Sequence, residues 1–284
     1  RKEVEFYCCH DVDATDKLDD LRQGYLSSKR TLGREKGIYE AKALYMTNAK
    51  LTAAYLDAQQ KPHDDEREYQ YPDKLLREYI PQEVFDFFDQ LHDPSISNTE
   101  LFGGRDAYGR KIEGKKLNFS LGECACVIGF GGIHGAIPCY REEATETRSI
   151  RNKDVASYYP HQMTLNGYCS RNIPSPEVYA AVIERRVKAK KSGDKATANA
   201  LKLVLNTTYG AMLNKYNDLY DPLMGRSVCI SGQLQLLELS IHLMQECPSL
   251  KIIQLNTDGI MVSLDNEDVP QYEAITQEWQ DRTT

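Results

Sequence analysis

Two aspartates stand where a chain can hold a carboxylate rigidly. Asp154 closes Arg148-Ser149-Ile150-Arg151-Asn152-Lys153, polar apart from Ile150 and readable as one short exposed strand, and precedes Val155-Ala156-Ser157-Tyr158-Tyr159-Pro160. Asp258 stands in Asn256-Thr257-Asp258-Gly259 between the apolar runs 250–255 and 260–264, which reads as a β-hairpin turn. Carboxylate oxygens on strand ends suit a hard divalent cation. Each aspartate alone also has a plainer reading as turn chemistry. A third group is cationic: Arg186 and Lys190 are spaced i,i+4, and Lys202, Asn206 and Tyr209 are spaced i, i+4, i+7. From Glu184 to Lys202 there are seven basic residues against two acidic ones. Lysine in register with an amide and an aromatic ring suits a ligand that carries phosphate and a base.

The elements that must position these groups are legible to different degrees. Ser175-Pro176 starts a helix that runs to about Lys191, Ser192-Gly193-Asp194 turns the chain, and a second helix follows over about 195–213. Together they predict an αα-hairpin. Upstream, 31–120 reads as helical and polar, with an amphipathic helix over 42–59. A second helix after Pro81 carries Val84, Phe85, Phe87, Phe88 and Leu91, an aromatic stripe that belongs in a core. Residues 106–116 read as a polar hairpin or insertion. Asp11 and Asp13 have the spacing of a metal pair or of a helix cap, and spacing alone favours the cap. The glycine-rich run 127–137 is either a tight hairpin or a strand that lets a nucleic-acid backbone lie close. Residues 231–245 predict an amphipathic helix ahead of the Asp258 hairpin.

Composition bounds the function. The chain has 284 residues, 41% hydrophobic and 27% charged, enough for one large or two ordinary domains. No apolar run reaches membrane-span length, and the charged start Arg1-Lys2-Glu3 has no following apolar core, so neither a span nor a signal peptide is expected. A net charge of −7 argues against coating nucleic acid by bulk charge, though not against a local basic cleft. Eight cysteines show no paired zinc spacing and read as reduced, mostly buried thiols of a cytoplasmic protein.

Taken together, the aspartates and the cationic hairpin resemble the family B DNA polymerases, particularly the phage-type members. Asp154 to Pro160 is similar to D-x-x-S-L-Y-P with Tyr158 for Leu, and Lys202 to Gly210 to K-x-x-x-N-S-x-Y-G with Thr207 for Ser. Leu255 to Gly259 resembles the Y-x-D-T-D-S hairpin with Asn256 where the first Asp stands. Tyr7 and Asp11 resemble the Y-x-x-x-D of the 3′–5′ exonuclease, and Gly131 and Gly132 the Y-x-G-G segment that guides single-stranded DNA.

The resemblance implies an α+β fold: a palm whose antiparallel sheet packs on helices, a two-helix antiparallel fingers hairpin and a mostly helical N-terminal region. It implies the end of an exonuclease domain over 1–30, a helical connection over 31–120, palm over 121–175 and 215–284, and fingers over 176–214. It also implies template-directed transfer of a dNTP to a primer 3′-OH. Asp154, Asp258 and the Val155 carbonyl would hold two Mg²⁺, with Mn²⁺ as a substitute. Tyr159 would stack on the sugar, Lys202 with Arg186 and Lys190 would bind the triphosphate, and Asn206 and Tyr209 would line the nascent base pair. Arg185 and Lys188 compete with Arg186 and Lys190 for that alignment.

Primer-template DNA and dNTPs are the implied partners, in the cytoplasm (the host's, if the protein is phage-encoded). The first exonuclease motif and the thumb of that family have no counterpart here. The resemblance therefore implies part of a longer protein, without exonuclease activity of its own and with feeble polymerisation. Two other readings stand beside this one: a nucleic-acid-binding relative that has lost turnover, suggested by Asn256, and an unrelated metal-dependent transferase acting on a nucleotide-sugar.

Overall fold

The computed structural model describes residues 2–63 and 66–283. About 53% of the chain is helix and 14% strand, with antiparallel sheet packed against helices, so the fold is α+β as expected. In chain order the helices are α1 (Lys2–Glu35), α2 (Glu40–Tyr45), α3 (Asn48–Tyr55), α4 (Gln82–Asp89), α5 (Asn98–Phe102), α6 (Tyr158–Leu165), α7 (Pro176–Lys191), α8 (Lys195–Met212), α9 (Pro222–Glu246) and α10 (Val269–Thr283). The strands are β1 (Gly104–Arg105), β2 (Lys111–Ile112), β3 (Lys116–Leu121), β4 (Cys124–Gly129), β5 (His134–Ala136), β6 (Arg148–Asp154), β7 (Lys251–Leu255) and β8 (Gly259–Asp265). The chain divides into two compact units, 1–61 with 170–220, and 62–169 with 221–284.

The first unit is helical. Its centre is α8, packed against α1, α3 and α7. Ser175 precedes α7 with Pro176 in its first turn, Gly193 turns at φ +76°, and Asp194 caps α8 by accepting from the Thr197 N–H at 3.0 Å. The predicted αα-hairpin is therefore present. Two other expectations are corrected. Asp11 and Asp13 cap nothing, because α1 already runs from Lys2 through both of them. The single helix expected over 42–59 is two: Met46 is extended, and the Thr47 hydroxyl accepts from the Lys50 N–H at 3.2 Å to start α3 afresh. Gly33 sets the α1–α2 approach, since a β-carbon there would lie 2.5 Å from that of Ala43. Lys29 reaches across from α1 to donate to the carbonyls of Leu44 and Met46 at the end of α2.

The second unit is built on a six-stranded antiparallel sheet in the order β3-β4-β5-β7-β8-β6. One continuous core joins its apolar positions to α4, α9 and α10, and Val84, Phe85, Phe87 and Phe88 are buried there as the aromatic stripe predicted. Of the two readings of 106–116 the hairpin is present, starting two residues earlier: Gly104–Arg105 of β1 pairs with Lys111–Ile112 of β2. The mostly helical reading of 31–120 misses β3, where Lys116-Leu117-Asn118-Phe119-Ser120-Leu121 alternates strictly, the period of a strand. The helix expected over 231–245 starts at Pro222 and is not amphipathic. Its polar residues Ser231, Gln233, Gln235, Glu238 and Ser240 are all buried, because neighbouring elements cover every side of it. Each is hydrogen-bonded: the buried Glu238, for instance, pairs with Arg282 and accepts from the Leu76 N–H. Pro160, a residue that would break a strand, follows β6 by several positions. It occupies the first turn of α6, where its missing N–H is harmless. Five cysteines are buried, whereas Cys8, Cys9 and Cys139 are exposed.

Candidate active site

In the second unit, β6 and β8 pair so that Asp154 stands opposite Gly259, and the next N–H, of Val155, donates to the Asp258 carbonyl at 2.8 Å. The turn of the β7–β8 hairpin is closed by the Asn256 N–H on the Gly259 carbonyl at 2.9 Å. The two aspartates, more than a hundred positions apart in sequence, thus emerge together at the ends of adjacent strands. The sheet performs the convergence that spacing alone did not show. Partial burial, and after it the negative charge of Asp154, raises the Asp258 carboxyl above its ordinary range. Both carboxylates reach solvent at neighbouring strand ends, and carboxylate oxygens are the donors a hard divalent cation takes.

After Asp154 the chain makes an unusual turn. Ser157 adopts the left-handed conformation, φ +56° and ψ 40°, immediately before α6. Such a backbone in a residue with a β-carbon costs energy and persists only where surroundings enforce it. Here it swings the chain from the end of β6 into α6 and sends the two tyrosines against α9. Tyr158, in the position expected for Leu, is buried, and its hydroxyl donates to the Gly232 carbonyl at 2.8 Å. Gly232 leaves the space for both rings: a β-carbon there would lie 3.2 Å from the Tyr158 ring and 3.6 Å from that of Tyr159. Tyr159 is half-buried, its hydroxyl 3.9 Å from Cys229 Sγ.

Asp154, Val155 and His161 also line a cleft of about 520 Å³ whose far wall is Thr276, Gln277 and Trp279 of α10. Sequence reasoning missed His161 and the α10 residues. Only the adjacency of His161 to the tyrosine motif pointed to it. Burial lowers its imidazole pKa and so favours the neutral ring. Lys153, although it lines the same cleft, spends its charge on Glu273 and Thr276.

Gly131 and Gly132 sit between β4 and β5, and a β-carbon on Gly132 would come 3.1 Å from the Thr257 hydroxyl. The glycine segment therefore borders the Asp258 turn. It lines a groove of about 440 Å³ that includes Lys115 and Lys116, which pair with Glu100 and Glu113. Nothing lies within 4 Å of where a Gly131 β-carbon would stand.

In the first unit, Lys202 and Asn206 share one exposed face of α8, as their spacing requires. With Asn199 they line a shallow cleft of about 300 Å³, whose other wall is Tyr25 and Ser28 of α1. Tyr209 is half-buried on the same helix and does not line this cleft; neither do Arg186, half-buried, and Lys190, exposed, on α7. Arg185, the competitor for that alignment, pairs with Glu35 and donates to the Tyr55 hydroxyl, so it braces α7 against α1 and α3. Tyr25 and Ser28 carried no sequence signal, being two polar-tipped residues in a long polar helix. Tyr7 is exposed on α1, and among the described residues no cluster of candidate metal ligands includes Asp11. No helix of the described residues is long and apolar enough to cross a membrane.

Compared with known proteins, the sequence matches no protein-family model and no curated relative.

Proposed function

We propose that the chain is the nucleotidyl-transfer core of a DNA polymerase similar to family B, extending a primer 3′-OH from dNTPs on a DNA template. One observation carries the reading: Asp154 and Asp258 stand together at adjacent strand ends, close enough for the Asp154 charge to act on the Asp258 carboxyl. The three motifs in family order support it. Two Mg²⁺, or Mn²⁺, held by Asp154, Asp258 and the Val155 carbonyl, supply the Lewis acidity for such a transfer when bound.

The chain's own residues do the rest. Tyr159, pressed on α9, offers a flat ring against the incoming sugar and excludes a 2′-hydroxyl. Lys202, with Arg186 and Lys190, neutralises triphosphate charge, and Asn206 and Tyr209 contact the nascent base pair. The glycines at 131–132 let a single strand run close to the chain beside the Asp258 turn. Tyr7 and Asp11 stand as an exonuclease remnant without cleavage activity. The reaction belongs to DNA replication in the cytoplasm, the host's if the protein is phage-encoded.

A second reading has its own observation: α1 lays Tyr25 and Ser28 alongside the Lys202–Asn206 face, and Asn256 replaces a carboxylate. A relative that binds nucleic acid or nucleotides without turnover has these features. Primer extension with Mg²⁺ and DNA binding, measured on the same preparation, separate the two. Extension that vanishes with Asp154→Asn supports the polymerase; binding without extension supports the second reading. Extension indifferent to Asp154→Asn refutes the site assignment.

A further inference from the structure

We propose that the cleft between the end of β6 and α10 is a binding site for an uncharged, amino-bearing heteroaromatic ring of the nucleobase kind. Its volume of about 520 Å³ falls within the range of small-molecule sites. The apolar lining is Val155, Leu236, Leu239, Ile260 and Trp279, drawn from the turn after β6, α9, β8 and α10 of one unit. Trp279 spends its indole N–H on the Gln235 carbonyl at 2.9 Å, so it offers the cleft ring surface and no donor. Any base can stack on such a ring, because every base has a π-face.

The polar residues of the cleft decide what the ring must carry. His161 is half-buried there, and its imidazole makes no hydrogen bond among the described residues. In the neutral form that burial favours, the imidazole has one donor and one acceptor nitrogen. Asp154 adds a carboxylate, which only accepts. Gln277, whose amide nitrogen already donates to Asp281 at 2.7 Å, adds an amide oxygen. Acceptors thus outnumber donors, which calls for amino and ring N–H groups on the ligand. Phosphate does not suit the cleft. Asp154 repels it, and Lys153, the one cationic residue among the described residues that line it, is held by Glu273 and Thr276.

This site is not the one assigned above to the incoming dNTP. Lys202, Asn206 and Tyr209 belong to the first unit, and Tyr159 does not line the cleft. A ring without phosphate needs neither those residues nor a metal ion, so the inference does not rest on the polymerase reading. Two sources carry the same chemistry: a free nucleoside, and the base at the end of a DNA strand.

Trp279 is the only tryptophan of the chain, so its fluorescence reports on this cleft. The experiment titrates the full chain, in EDTA, with adenosine, with thymidine and with a short oligo-deoxyadenylate. Trp279 emission locates the ligand, and equilibrium dialysis measures binding directly. The variants are His161→Leu and Gln277→Leu, with Lys202→Ala as the control, and circular dichroism and melting temperature establish that each folds like the parent. The expected result is saturable binding of adenosine that changes Trp279 emission in the parent and the control. Affinity should fall at least about 10-fold in both cleft variants, and thymidine, which has no amino group, should bind at least about 10-fold more weakly than adenosine. A response to the oligomer as well assigns the ring to a strand end, and a response to adenosine alone assigns it to a free nucleoside. The proposal is overturned by no binding of adenosine at millimolar concentration, or by binding that leaves Trp279 emission unchanged. Binding indifferent to both cleft variants, lost in the control, or equally tight for thymidine also overturns it.

Discussion

Asp154 pairs with Gly259 across the β6–β8 ladder, so the place of its carboxylate beside Asp258 is set by backbone hydrogen bonds and not by side-chain contacts. Neutralising either aspartate should then leave the fold intact while removing the charge that the proposed reaction needs. Asp154→Asn and Asp258→Asn are each expected to lower the single-turnover rate of primer extension by at least ~100-fold, with unchanged circular dichroism. A variant that keeps a tenth of parental activity would exclude that aspartate from the reaction.

The role proposed for Tyr159 is narrower. Its ring rests on α9 where Gly232 makes room, and its hydroxyl approaches Cys229 Sγ only at 3.9 Å. Sugar selection should therefore reside in the ring. Tyr159→Phe is expected to keep discrimination against ribonucleotides, while Tyr159→Ala admits them, raising rNTP over dNTP use by about 10-fold or more. Competition between rNTP and dNTP on one primer measures this, and equal discrimination in the parent and Tyr159→Ala would remove the assignment.

Asn256 stands at the base of the same turn, and its side-chain oxygen accepts from Gln254 Nε2 at 3.1 Å. An aspartate in its place keeps that acceptor and adds a negative charge close to the Asp154–Asp258 pair. Asn256→Asp is expected to change the ratio of extension rates in Mg²⁺ and Mn²⁺ while preserving the melting temperature within about 1 °C. A ratio identical to that of the parent would mean that the departure at 256 has no bearing on metal use.

How far the sequence reached follows from what kind of signal each element carries. The α7–α8 hairpin was legible because Ser175, Pro176, Gly193 and Asp194 mark its ends by local backbone chemistry. The β7–β8 turn was legible for the same reason. The break between α2 and α3 was not, because apolar positions run through Met46 and only the capping side chain of Thr47 decides it. The full length and burial of α9 escaped because burial is decided by neighbours from distant sequence. Gln235, for example, is hidden by Gln162, which donates to its side chain, and by Trp279, which donates to its carbonyl. At the candidate site, motifs supplied the aspartates and the tyrosine. The α10 wall and the α1 wall are tertiary and carry no local mark.

Gly135 gives a test of packing away from the site. A β-carbon there would lie 2.5 Å from Cys126 Sγ, 3.1 Å from Cys124 Sγ and 3.2 Å from the Ala125 carbonyl oxygen, all in the adjoining β4. Both sulfurs are buried and cannot swing into solvent. Gly135→Ala should destabilise the protein by about 1–3 kcal/mol. Cys126→Ala in the same chain removes the nearest clash and should recover part of that loss, which urea titrations of the single and double variants would show. Strictly additive effects would count against the contact.

Arg148, at the start of β6, joins the far end of the sheet. Its Nε donates to Glu142 at 3.0 Å and to the Ser263 hydroxyl at 2.7 Å, and Nη1 donates to Asp265 at 2.7 Å. Burial opposes ionisation of Glu142, but hydrogen bonds from Ser263, Tyr140 and Arg148 outweigh it and hold the carboxyl below its ordinary range. A carboxyl more acidic in the folded chain than in the unfolded one contributes stability that is complete above its unfolded value, about 4.3, and is lost as pH falls through the folded value. Glu142→Gln should therefore cost about 1–3 kcal/mol at pH 7, with the gap to the parent closing as the pH is lowered below about 4. Urea denaturation across that range measures both quantities. A gap that stays constant down to pH 3 would mean that the Arg148 cluster does not depend on the Glu142 charge.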